Sequence, residues 1–313
     1  MLAVMLPTSG GRVVMPKHHF VPQFYLKGFV DPASEGRGSP YLWVVDLQSQ
    51  TLKRRAPQNV ASITGFYDWA KLGNEAPSIE ALYSQIEGKA ALVIGTLRNH
   101  KFELSLQERY DLSSFLGFQL TRVPGFRRAA VDGFGKHAQG RLQALVQDEE
   151  WLHAKLGDHN REKGDSTLTV EGVKEFVMGK RYTLTPDSDH MLGVALEAGL
   201  EFARVAFAMN WSFVIAAKGA SFFTSDQPVA LLTPDAKPRK IDFGSGRNPE
   251  LEMSFPISLL CTLLLHQKEV PTNVVSVDKE QVGEINRRVF PTVDRYVFCS
   301  NEQLGKWALR QGV

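Results

Sequence analysis

The stretch PDSDHMLGVALEAGLEFARVAFAMNWSFVIAAKGASFFTSDQPVALL, residues 186–232, changes its period partway through. Over residues 186–209 the apolar positions recur at helical spacing. Ala195, Gly199, Ala203 and Ala206 share one face, small enough to let a neighbouring helix come close. From Trp211 the texture becomes short apolar runs, 211–217, 222–224 and 229–232, punctuated by Gly219 and Pro228. Such runs between turn residues read as strands. The chain before this boundary is mostly helical in pattern and the chain after it mostly extended. Runs of helix followed by runs of strand predict an α+β fold with a mainly antiparallel C-terminal sheet, not a doubly wound α/β fold.

Working outward, three long helical patterns precede the boundary. Residues 77–100 carry Ile79, Leu82, Ile86 and Leu97 near the helical period. Ser105 and Glu108 form a capping-box signature that opens a second helix through residue 120. A third is predicted over 126–151, after the break at Val123-Pro124-Gly125. Residues 158–165 (DHNREKGD) read as a charged, solvated connector carrying His159, with His153 before it, and a short helix follows over 169–178. Further upstream, residues 18–29 predict a short strand or turn and then a helical turn entered at Pro22, followed by a loop over 31–40. Residues 41–46 and 51–55 predict a β-hairpin joined by Gln48-Ser49-Gln50. Downstream, strands are predicted over 252–256, 259–265 and 296–299, with a helix over 278–290. A lone hairpin is marginal in water, so the early hairpin is expected to join the late sheet in one domain spanning 15–313. Residues 1–14, broken by Pro7, Gly10 and Gly11, read as an extension outside the fold or as sequence before a true start at Met15.

Composition narrows the function classes. Of 313 residues 43% are hydrophobic and 22% charged, enough to bury a sizeable core. The formal charge of +2 is too mild to indicate nucleic-acid binding by composition alone. Cys261 and Cys299 are too few and too far apart for a disulfide framework or a structural zinc site, and read as buried thiols in a reducing compartment. No run reaches the roughly 18 apolar residues of a membrane span, and the N-terminus lacks a signal-peptide pattern. The chain therefore reads as cytoplasmic, with no membrane partner.

Three places carry polar residues that local structure explains poorly. His18 and His19 are adjacent; on a strand they point to opposite faces, and in a turn both could converge on a divalent metal ion. A third ligand would come from far away, with Asp226 the natural candidate. Gln119 and Arg122 share a helix face, and the Pro124 break should aim Arg122 and Arg127 near a common point, suited to a carboxylate or phosphate. Each arginine could equally tie a loop to an acidic residue. Ser225 and Asp226 sit in a turn between apolar strands, where they could satisfy their own backbone or serve as a general base. Two short basic runs, Lys53-Arg54-Arg55 and Arg239-Lys240, could touch phosphates or simply be solvated. Phosphate-loop, dinucleotide, nucleophile-elbow and HExxH patterns are absent.

The blocks KHHFVPQFYLKGF (residues 17–29), FQLTRVPGFR (118–127) and FFTSDQPV (222–229) resemble the signatures of the domain-of-unknown-function 4238 family. Phe255-Pro256-Ile257-Ser258 and the helix with Asn286-Arg287 are similar to weaker later blocks. The family more often has Asn where this chain has Gln227. The resemblance spans residue 15 to about 299. It implies that His18, His19, Gln119, Arg122, Ser225 and Asp226 meet in one site, and it brings no established activity. The leading expectation is a metal-assisted or acid–base hydrolase of a phosphoester, perhaps in nucleic acid. His18 or His19 would be ligand or base, Asp226 the paired carboxylate, and Gln119, Arg122, Arg127 and Ser225 the substrate contacts. The alternatives are a non-enzymatic module that binds an anionic ligand or partner through an Arg/Gln face, and a purely structural polar network.

Overall fold

A computed structural model describes residues 17–36, 38–64, 66, 79–163, 168–232, 251–267 and 273–312. The chain opens with β1 (Lys17–His19) and the single turn α1 (Gln23–Leu26), then the hairpin β2 (Leu42–Asp46) and β3 (Thr51–Arg55), then β4 (Ser62–Thr64). Six helices follow: α2 (Ile79–Arg98), α3 (Leu106–Thr121), α4 (Pro124–Leu145), α5 (Glu149–Lys163), α6 (Val170–Met178) and α7 (Ser188–Ala208). The last third supplies β5 (Asn210–Ala216), β6 (Thr224–Ser225), β7 (Ala230–Leu232), β8 (Glu252–Ser258), β9 (Cys261–His266), β10 (Asn273–Val277), α8 (Lys279–Val289), β11 (Tyr296–Cys299) and α9 (Glu302–Gln311). The fold is α+β, and the basic run at Arg239-Lys240 lies outside the described residues.

The strands form three sheets. A five-stranded sheet has the order β10-β5-β9-β8-β7, antiparallel except for the β10–β5 pair. A four-stranded sheet has the order β3-β2-β11-β6, all antiparallel. The early hairpin thus lies in a sheet with late strands, because β2 pairs along its length with β11. The third sheet is the β1–β4 pair, which sets His18 opposite Ile63 and His19 opposite Ser62.

One hydrophobic cluster runs from Phe20 to Phe298, joining α1, α2, α3, α7 and the five-stranded sheet. Its tightest joint is α3 on α7. A Cβ at Gly117 would collide with the Gly199 carbonyl oxygen and the Ala203 backbone, and a Cβ at Gly199 would meet the Phe118 ring. The small-residue face of α7 is therefore where α3 seats. Arg98, at the end of α2, donates to the carbonyls of Phe24, Tyr25 and Ile257 at 2.7–3.1 Å and so ties α1 to β8. Gly28 leaves the space that its guanidinium fills.

Two sequence expectations are corrected in the helical layer. The helix expected over 126–151 is two helices, α4 and α5. Asp148 separates them by accepting the Trp151 backbone N–H at 3.0 Å, as an N-cap does. The connector expected from residue 158 is helical through Lys163, with Arg161 paired to Asp158 one turn back, so its charges form a solvated helix surface. His153 and His159 are exposed on α5. Among the described residues no helix is long and apolar enough to cross a membrane.

Candidate functional site

Strand alternation decides what the four-stranded sheet presents on each face. Leu52, Trp43, Val45, Val297 and Cys299 pack with α9 on one side, where Gly305 comes up against Leu52. On the other face the register aligns two cross-strand rows. Thr51, Asp46 and Tyr296 form one, continued by Asp226, whose N–H donates to the Tyr296 carbonyl at 3.0 Å. Lys53, Val44, Phe298 and Thr224 form the other. This second face is the floor of a cleft of about 500 Å³. Its lining also includes Phe20, the segment from Asn59 to Ile63, and Pro124 and Arg128 at the start of α4. The size lies within the range usual for small-molecule sites, roughly 300–1,000 Å³.

Asp226 stands at the β6 end of the floor, 3% exposed. One carboxylate oxygen accepts the Asp294 N–H at 3.1 Å, and the other accepts those of Arg295 and Tyr296 at 2.8 and 2.9 Å. Burial pushes its carboxyl up to about 7; the three N–H groups pull it down, and neighbouring Asp294 pushes it further up. Asp294 is ion-paired with Arg128. Asp46 is held in a two-pronged grip by Arg295, Nε at 3.0 Å and an Nη at 2.7 Å, which keeps its carboxyl far below the usual carboxylate range. The Arg295 guanidinium also lies 4.8 Å from the Tyr296 ring centre.

At the opposite edge, β3 divides the Lys53-Arg54-Arg55 run between the two faces. Arg54 turns away and lies over the Tyr41 and Trp43 rings, at 5.1 and 4.6 Å. Lys53 and Arg55 line the cleft, both exposed. Among the described residues neither makes a side-chain hydrogen bond or ion pair.

The three polar blocks meet, largely through backbone. The Gln119 side-chain amide donates to the Phe20 carbonyl at 2.9 Å, and Arg122 donates to the His19 carbonyl and to Glu87, both at 2.6 Å. Both side chains are buried. Arg122 and Arg127 border a common crevice with Tyr83 and Phe66, but it measures about 20 Å³, room for a single water and no larger ligand. Tyr25 donates to the Pro256 carbonyl and shares a hydrogen bond with Thr224, each at 2.7 Å, which joins the first block to the third. Gly125 leaves room for the Gln227 amide, joining the second to the third. Ser225, on the sheet face away from the cleft, accepts the Gln227 N–H at 3.0 Å and donates to the Gln227 carbonyl at 2.9 Å, a closed local turn.

The histidines part company. His18 is buried, with its ring Nε2 against the Glu80 carboxylate. The half-buried His19 lies 3.2 Å from the Gln58 carbonyl, and burial lowers the basicity of its ring. Among the described residues no group of three or more His, Cys, Asp or Glu is placed to hold a metal ion, so His18, His19 and Asp226 do not come together as a ligand set. Each imidazole is directed to a partner of its own: His18 to Glu80, His19 to the carbonyl of Gln58. Both cysteines are buried and unpaired, and burial pushes both thiols up to about 12. Reading the sequence alone missed Asp46, Asp294, Arg128 and Arg295. The signal available for one of them was the period of two along 41–46 and 51–55, which puts Asp46 on the face of Lys53 and Arg55.

The model of the family described as Protein of unknown function (DUF4238) matches residues 17–303. No curated protein and no solved structure matches the chain.

Proposed function

The chain belongs to the family of proteins of unknown function DUF4238, and from that premise we propose that its cleft binds a small organic anion. The observation that carries this reading is the pair Lys53 and Arg55, both facing the cleft with no hydrogen-bonded or ionic partner among the described residues. Two neighbouring cations left uncompensated favour an anion, and the partly exposed Val44 and Tyr296 ring beside them favour one with an apolar body. Gln119 and Arg122 serve this site from behind, by fixing the backbone of residues 19 and 20 at the lining residue Phe20.

Phenyl phosphate is a suitable probe. Isothermal titration should detect its binding to the wild-type protein, weakened at least tenfold by Lys53→Glu with Arg55→Glu. Equal binding by both proteins, or none by the wild type, would sink the reading.

A second reading, acid–base hydrolysis of a phosphoester, is favoured by one observation. Asp226 borders the same cleft with its carboxyl raised to about 7, where a group can exchange a proton at neutral pH. Asp226 would be the acid–base group, and Lys53, Arg55 and Arg128 would hold the phosphate oxygens. Turnover of aryl phosphates with a pH limb near 7, abolished in Asp226→Asn, is its test.

A further inference from the structure

Among the described residues the cleft offers cations without partners at one end and carboxyl groups at the other. At the β3 edge stand Lys53 and Arg55, without partners among the described residues. At the β6 end stand Asp226 and Asp294. Arg128 pairs with Asp294, while among the described residues Asp226 takes its hydrogen bonds from backbone N–H groups and from no cationic side chain. A carboxylate offers about four acceptor sites, so the partly exposed Asp294 retains those that Arg128 does not use, whereas Asp226 is buried. Arg295, the other guanidinium at this end, is committed to Asp46. Between the two ends lie Val44 and the partly exposed ring of Tyr296, while Phe298 is buried in the core.

Three inter-strand spacings separate β3 from β6, about 14 Å in all. The Lys53 and Arg55 side chains reach inward over part of that width, so a ligand touching both ends must span roughly 10 Å. A lone phosphate or a simple carboxylate is too short.

We propose that the ligand of this cleft is a nucleoside monophosphate, or an anion built on the same plan. Its phosphate would be held by Lys53 and Arg55, its flat base laid against the partly exposed ring of Tyr296, and its base N–H donors directed to Asp294. This rests on the anion-binding reading and specifies the other half of the ligand. Stacking on aromatic side chains contributes about 1–3 kcal/mol per base, and adjacent N–H groups pair well with carboxylate oxygens. Guanine presents two such N–H groups on one edge, which singles out guanosine 5′-monophosphate as the probe.

Titrations would compare guanosine 5′-monophosphate, adenosine 5′-monophosphate and phenyl phosphate on the wild-type protein, on Asp294→Ser and on the Lys53→Glu, Arg55→Glu variant. The guanine nucleotide should bind at least tenfold tighter than phenyl phosphate and several-fold tighter than the adenine nucleotide. Asp294→Ser should remove most of that advantage, read as the ratio of guanine nucleotide to phenyl phosphate affinity within the same variant. Asp294 is partly exposed on a loop, so the variant is expected to fold; its thermal melt checks this. If all three compounds bind alike and Asp294→Ser is neutral, the nucleotide inference is overturned while anion binding stands. If none binds, or binding ignores Lys53 and Arg55, both fall together.

Discussion

The fate of Asp226 turns on one balance, between desolvation of a buried carboxylate and three backbone N–H groups that favour its charge. Desolvation wins, and the folded-state value of about 7 lies above the unfolded value of about 4. The protonated form is therefore the one the fold prefers. Stability from this group is fully present below pH 4 and is lost as the pH rises through 7, by up to about 4 kcal/mol. Of the charged groups that line the cleft with it, Asp294 pushes the Asp226 carboxyl further up. Thermal melts between pH 4 and 8 should show this decline in the wild-type protein and a flatter profile in Asp226→Asn. Identical slopes would mean that Asp226 is ionised throughout. Sequence reading found Asp226 because a carboxylate between apolar strands needs an explanation. It could not find the explanation, because the three N–H groups come from residues 294–296, far along the chain.

On β3, alternation gives neighbouring residues different work. Arg54 packs on two aromatic rings, whereas Lys53 and Arg55 stand in the cleft. Arg54→Ala should cost about 0.5–1 kcal/mol of stability and leave phenyl phosphate binding intact. Lys53→Ala should do the reverse, with stability within about 0.5 kcal/mol of wild type. Paired denaturation curves and titrations check both; a common effect of the two substitutions would refute the division. Elements with a strong period or a cap were legible in the sequence: the hairpin, the Ser105–Glu108 start of α3, and α7 with its small-residue face. The α4–α5 boundary was not, because a single Asp148 cap interrupts a continuous helical pattern. Neither was β10, whose Val274-Val275 run is short and exposed. The division of the Arg/Gln block was hidden for a different reason. Gln119 and Arg122 look like ligand contacts by type, yet their donors go to backbone carbonyls about 100 residues away.

For the molecule as a whole, the α3–α7 joint governs stability, since the main core is built around it. Gly117 faces α7 where no Cβ fits, against the Gly199 carbonyl and the Ala203 backbone. Gly117→Val should force the helices apart and cost about 3 kcal/mol or more, read as a lower denaturant midpoint. Gly133 faces open space, so Gly133→Ala should be neutral or slightly stabilising, since alanine favours the helix. A Gly117 variant as stable as the wild type would place the joint elsewhere.

The four-stranded sheet also sets a schedule for the chain's birth. Trp43 and Cys299 meet across β2 and β11, 256 residues apart. At about 5–20 residues per second, a ribosome needs roughly ten to fifty seconds to deliver β11 after β2 has emerged. Throughout that interval Trp43 and Val45 have neither strand nor α9 to cover them, and the hairpin depends on whatever shields nascent apolar surface in the cell. The floor of the cleft comes into being only once β11 has been made, so a chain cut short before Tyr296 would carry α1 to α8 but no cleft.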